Sequence, residues 1–208
     1  MSIVARALLL VFLGSAILLT TRLAVAEAEF RLGPEAALRS PNWIQAAHLA
    51  RFESSPDELR AAVSLNSRLS IAWIHLGLDA EAEGNLPEAK ADLLRATRID
   101  RLYLPAWTLA NFYFRRNDAE NFWPWAERAA ALTFDDYRPL LRLADALDTS
   151  PQRVATRLRG GTALLRAYLD LLINAHRLDS AREIAGLLAA RHDPADRDRL
   201  AAFAERLQ

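Results

Sequence analysis

Residues 72–100 read AWIHLGLDAEAEGNLPEAKADLLRATRID, and residues 106–134 read AWTLANFYFRRNDAENFWPWAERAAALTF. The second stretch restarts the first: Trp73 returns as Trp107, and the turn pair Gly84-Asn85 returns, one position out of phase, as Asn117-Asp118. Self-similarity at such a period marks stacked helical hairpins, because one hairpin cannot bury its own apolar face and a neighbour must cover it. Arrays of this kind generally bind other molecules rather than transform them, so the period bears on function as well as on fold.

The order Trp73, Leu76, Gly77, Ala80, Gly84, Asn85, Glu88, Ala89, Leu93, Ala96 resembles the tetratricopeptide repeat, with Arg101 standing where that family usually has proline. The second copy matches through Leu109, Ala110, Tyr113, Asn117, Asp118, Phe122, Ala126 and Ala129. The pattern has a physical basis: small residues let two antiparallel helices approach closely, and the bulky residues between them fill the remaining space. The resemblance implies an all-α, right-handed superhelix of antiparallel helix pairs, preceded here by an N-terminal hydrophobic helix. It also implies a concave groove lined by the first helix of each pair. Groove positions carried over are His75, Leu78 and Glu81 in the first copy and Trp107, Asn111, Phe114 and Arg115 in the second. His48, Arg51 and Asp145 are the corresponding positions of the flanking repeats.

Helix starts elsewhere in the chain are punctuated by caps. Ser40-Pro41 opens a helix through Trp43, Ala47 and Ala50, and Ser55-Pro56-Asp57-Glu58 is a capping box that opens its partner, residues 56–65. The second hairpin is expected over 71–99 and the third over 105–132, its second helix starting near Trp123 because Pro124 suits a first turn. A further first helix spans 137–147, and Ser150-Pro151 opens a short helix ended by Gly160-Gly161. Residues 162–175 and 180–190 form a last, degenerate hairpin with Ala181 at the family's alanine position, and Asp193-Pro194 starts a closing helix carrying Leu200, Phe203 and Leu207. No segment alternates as a strand would over a useful length.

Arg6 precedes the apolar run 7–20, and Arg22 follows it. At about 1.5 Å per residue the run covers about 22 Å, short of the ~30 Å hydrocarbon core but suited to a secretory signal, with Ala24-Val25-Ala26 as a small-x-small cleavage site before Glu27. Against cleavage, Arg22 could snorkel from a tilted helix that continues through Leu23 and Ala26 until Gly33-Pro34 stops it. The two alternatives are a single N-terminal span and a cleaved signal. Both put the array outside the cytoplasm, on the periplasmic side of a bacterial inner membrane or soluble in the periplasm. The domain division is then 1–22 signal or anchor, 23–39 linker helix, and 40–208 helical array with degenerate C-terminal repeats and a capping helix.

The 26 basic and 26 acidic residues balance, so no global field draws the chain to nucleic acid. It has no cysteine, which excludes disulfides and thiolate chemistry. His48, His75, His176 and His192 lack metal-ligand spacing, no glycine-rich phosphate loop occurs, and no serine sits in a nucleophile setting. No catalysis, cofactor or metal is expected. Ten of the 17 aromatics lie between Tyr103 and Tyr137, more than packing alone requires. Phe112-Tyr113-Phe114 cannot all face one core, and Trp123 and Trp125 diverge similarly, offering a second surface.

The expected function is that of a non-catalytic adaptor or assembly factor at the cell envelope, taking a peptide segment or helix of another protein into the groove. The alternatives are a permanent structural subunit of a membrane complex and an accessory protein that positions a polysaccharide. With the N-terminal segment retained, the protein should fractionate with membranes, and deletion of residues 1–22 should release a soluble, folded array. Intact mass showing a mature chain that starts at Glu27 would identify cleavage instead.

Overall fold

The computed structural model describes residues 3–31, 55–133 and 136–205. Among them are eleven α-helices, one 3₁₀ turn and no strand. We number the helices α1 (Ile3–Arg31), α2 (Pro56–Leu65), α3 (Ser70–Ala82), α4 (Leu86–Ile99), α5 (Tyr103–Arg115), α6 (Ala119–Leu132), α7 (Arg138–Leu147), α8 (Pro151–Arg157), α9 (Thr162–Asn174), α10 (Leu178–Ala189) and α11 (Arg197–Glu205). The chain divides into two compact units, Met1–Ile99 and Asp100–Gln208. The helix expected from Ser40-Pro41, the stop at Gly33-Pro34 and the end of the closing helix at Leu207 lie outside the described residues.

α1 is unbroken for 29 residues, so it runs through residue 22 without a boundary. Its stretch Val4–Glu29 has a mean hydropathy of 2.2 and is long and apolar enough to cross a membrane or to serve as a signal sequence. Positions 8–13 are all exposed, so the helix is apolar on every face, as a lipid-embedded helix is and a docked amphipathic one is not. Its hydroxyls are satisfied internally: Ser15, Thr20 and Thr21 donate to the carbonyls of Val11, Ala16 and Ile17 at 2.8, 2.7 and 2.9 Å. That removes most of the cost of placing them in hydrocarbon.

Six of the other ten helices form one hairpin used three times. First helices α3, α5 and α9 each have 13 residues. Each partner (α4, α6, α10) starts at the same offset from its first helix: Ser70 to Leu86, Tyr103 to Ala119 and Thr162 to Leu178. Burial repeats with the geometry: Ala72, Pro105 and Leu164 are buried at one position, Leu76, Leu109 and Tyr168 at another, Ala80, Tyr113 and Leu172 at a third. In the second helices Ala89, Phe122 and Ala181 are buried in register, as are Ala96, Ala129 and Leu188. The last hairpin, degenerate in sequence, is therefore regular in structure.

The turns share one device. Gly84, Asn117 and His176 take φ of 82°, 54° and 56°, and the following N–H of Asn85, Asp118 and Arg177 donates back to Ala80, Tyr113 and Leu172 at 2.8, 3.0 and 3.0 Å. This closes the last helical turn and reverses the chain. At the end of α8 the same left-handed residue is Arg159, φ 46°, ahead of Gly160-Gly161. The structural repeat between the first two hairpins thus carries Ser70 onto Tyr103 and Gly84 onto Asn117. That register is one position shorter than the spacing of Trp73 and Trp107, so the two tryptophans are not equivalent, and Trp107 matches Ile74 instead.

The caps form as expected at three helix starts. Ser55 accepts from Glu58 N at 3.4 Å while Ser55 N donates to Glu58 at 2.6 Å, a complete capping box for α2. Asn85 accepts from Glu88 N, and Ser150 from Arg153 N. α6 differs from expectation: it starts at Ala119, not near Trp123, because Asp118 caps it by accepting from Asn121 N at 3.1 Å. Pro124 then sits one turn in, where it forfeits a single helical hydrogen bond.

In the first unit Leu59 and Ala62 of α2 pack on Ala72 and Leu76 of α3, bordered by Leu65, Leu69, Ile71 and Trp73. α3 and α4 come closest at Gly77, where a Cβ would lie 2.8 Å from Leu93 Cγ and 3.1 Å from the Ala89 carbonyl. In the second unit α7 packs on α5, α6 and α9, and α8 on α7 and α10. The closing segment is pinned by charge: Arg166 of α9 holds Asp196 at 2.5 Å and Asp193 at 2.7 Å, and Arg199 of α11 holds Asp170 at 2.5 Å.

Leu93→Ala is expected to cost about 2–5 kcal/mol, and Ala96→Leu about 1–3 kcal/mol, in thermal or urea unfolding. Gly77→Ala should destabilise the wild-type background through its contact with Leu93. In the Leu93→Ala background the penalty should shrink, since only the Ala89 carbonyl contact remains and the better helix former offsets part of it.

Candidate functional site

α5 carries the densest group of side chains that packing leaves unexplained. Pro105, Ala106, Thr108, Leu109, Ala110, Phe112 and Tyr113 are buried, which commits most of its circumference to the core. The remaining stripe is Trp107, Asn111 and Phe114, each half-buried, and Arg115, which is exposed. Trp107 stacks on Tyr103 with ring centroids 6.0 Å apart and planes 12° from parallel. Asn111 Nδ2 donates to the Trp107 carbonyl at 2.9 Å, which fixes the amide one turn above the indole. Phe114 leans on the buried Phe122 at 6.2 Å. Of the aromatic triplet, then, only Phe114 reaches the surface.

Two leucines extend the stripe. Leu102 is 68% and Leu104 46% exposed, and with Leu78 they are the exposed large aliphatics among the described residues outside α1. Burial, and secondarily the Asp136 carboxylate, raises the Tyr103 phenol above its ordinary value, so it stays a neutral donor beside them. The opening residues of α5 thus present Leu102, Tyr103, Leu104 and Trp107 as an apolar patch, with Asn111 and then Arg115 beyond it.

The other expected groove residues fall in different settings. In the first unit His75 and Glu81 are half-buried and Leu78 is exposed on α3, one helical face of that unit. His48 and Arg51 lie outside the described residues. Trp73 is engaged: its Nε1 donates to the Ser67 carbonyl at 2.9 Å, and the Arg95 guanidinium covers its ring at 4.1 Å. Trp123 is only 8% exposed, wedged edge-on against Phe122 with the Arg157 guanidinium over its ring at 4.7 Å; among the described residues its buried Nε1 has no hydrogen-bond partner. Trp125 is half-buried with Arg128 at 5.4 Å.

Asp145 is a structural hub. It accepts from the buried Tyr168 hydroxyl at 2.6 Å and from Arg177 Nη1, while Arg177 Nη2 donates to Ser180. One carboxylate of α7 thereby ties α9 and the start of α10. Burial, then the bond to Asp145, pushes the Tyr168 phenol far above the usual tyrosine range. Tyr168 and Arg177 were not legible as partners because they lie 23 and 32 residues from Asp145 and share no motif. Nearby, the Arg153 guanidinium grips Asp148 and holds its carboxyl below the usual range.

Among the described residues no group of three or more His, Asp or Glu side chains is placed to hold a metal ion. No family model matches the chain, and no curated protein matches it significantly.

Asp145→Ala should leave the Tyr168 hydroxyl and Arg177 without their acceptor and cost about 1–3 kcal/mol in unfolding free energy. Because the folded state keeps the Tyr168 proton after the unfolded chain has lost it, this group's contribution is full below about pH 10 and falls as pH rises further. Tyr168→Phe should flatten the alkaline limb of a stability profile against pH.

Proposed function

We propose that this protein is a membrane-tethered adaptor of tetratricopeptide type, with its helical array on the periplasmic side of a bacterial inner membrane. In this reading α1 is the anchor, and the array captures a peptide segment or helix of another envelope protein without catalysing a reaction. The observation that carries the reading is the α5 surface, where Leu102, Leu104 and the Tyr103–Trp107 stack stand beside Asn111 and Arg115. An apolar anchor with an amide and a guanidinium along one helical face suits a partner chain: the rings and leucines supply area, the amide meets a backbone, and the guanidinium meets a carboxylate. Three hairpins of matched length support a repeat architecture, in which Leu78 and Glu81 of α3 stand at the positions of Asn111 and Phe114. The apolar and exposed run of α1 over positions 8–13 supports the tether.

Partner capture from detergent-solubilised membranes tests this directly. Arg115→Glu and Leu104→Asp should each weaken capture severalfold while leaving helicity and melting temperature nearly unchanged. Unaltered capture by both variants would remove the α5 surface from the proposal.

A further inference from the structure

A second surface of the same unit is formed by the C-terminal ends of α8 and α10 and the start of α9. A cleft of about 500 Å³ is lined by the aliphatic side chains of Ala155, Leu165, Leu187 and Ala190 and by Arg159 and Arg191. Arg159, 78% exposed at its side chain, reaches from this cleft to Glu127 of α6 at 3.1 Å. Glu127 lies between Trp125 and the Arg128 that covers it, and Arg157, two positions before Arg159, covers Trp123. Arg191 is exposed and donates to the Gly160 carbonyl across a long 3.4 Å.

The charge balance of this face is one-sided. The cleft's lining holds two cations, Arg159 and Arg191, and no carboxylate, with Glu127 meeting Arg159 from α6. Two exposed guanidiniums in the lining of a largely aliphatic cleft, with no carboxylate among the lining residues, favour an anionic occupant. We propose that this face is a docking site for an acidic segment of a partner protein, an apolar side chain entering the cleft while carboxylates meet Arg159 and Arg191. Guanidiniums pair carboxylates through two parallel hydrogen bonds, and a cleft of this volume holds a few side chains rather than a folded domain.

Two other polyanions fit less well. A bilayer surface would call for exposed large aliphatics to insert, and among the described residues none of those lines this cleft. A nucleic acid needs a basic track rather than two arginines at one cleft in a chain of zero net charge. This inference does not rest on the α5 surface, and its test separates the two.

The probe is a fluorescein-labelled peptide with glutamates on both sides of a Leu-Phe pair and an amidated C-terminus. A counterpart has every glutamate replaced by glutamine. Fluorescence anisotropy with the full chain in neutral detergent micelles is expected to show binding of the acidic peptide that weakens as salt is raised, with the glutamine peptide binding at least about tenfold more weakly. Arg191→Glu alone and the Arg159→Glu/Arg191→Glu pair should reduce the acidic peptide's affinity, the pair by at least about tenfold. Leu187→Gln should reduce it through the cleft, and Arg115→Glu should leave it unchanged. Circular dichroism melts confirm folding of each variant. Equal binding of both peptides, or indifference to the charge reversals, overturns the proposal. So does charge-dependent recruitment to phosphatidylglycerol vesicles without binding of the acidic peptide, which would assign the arginines to lipid.

Discussion

Each hairpin depends on how closely its two helices approach, and side-chain volume at a few facing positions sets that distance. In the first hairpin Gly77 provides the space that Leu93 fills, with no room for an added methyl group. The second meets the same constraint with a different distribution of volume. Ala110 and Ala126 stand where Gly77 and Leu93 were, and a fully buried Phe122 replaces Ala89. Conserving volume while exchanging which helix contributes it preserves the packing. It also explains why two stretches with modest residue identity have helices of equal length.

Charge has a different role in the two units. In the first, burial of α2 and α3 against each other is apolar, and the Trp73 ring is held by a carbonyl and a guanidinium at its edge and face. In the second, long-range ion pairs hold the later helices: Asp145 ties α7 to α9 and α10, and Arg166 and Arg199 hold the closing segment. Several are partly buried, which makes them more than the near-neutral pairs of an open surface. Asp196, 1% exposed, is tolerated there because Arg166 meets it directly.

Surface chemistry then follows from what packing leaves over. On α5 the core takes most of the helix, and the remainder happens to be rich in ring and aliphatic area. On α6 and α8 the remainder is arginine, partly stacked on indoles. These two leftovers differ in kind, one apolar with a polar end and the other cationic around an aliphatic cleft, so they suit different partner chemistry.

Much of the fold could be read from short-range signals. Caps such as Ser55 and Ser150, the left-handed turn residues Gly84 and Asn117, and small residues at Gly77, Ala89 and Ala96 act within one or two helical turns, so their physics is local and their spacing is visible in the chain. The all-helical class and the apolar character of α1 belong to the same group. Tertiary structure decided what depends on distant partners. It shortened the repeat by one position and made Trp73 and Trp107 inequivalent, because register is set by which side chains meet across helices rather than by which letters recur. It withdrew Trp123 into the core and turned Asp145 from a groove candidate into an internal tie, since both outcomes depend on residues several helices away along the chain. It also exposed Leu102 and Leu104 and gathered Arg159 with Arg191 around one cleft, juxtapositions that no local pattern encodes.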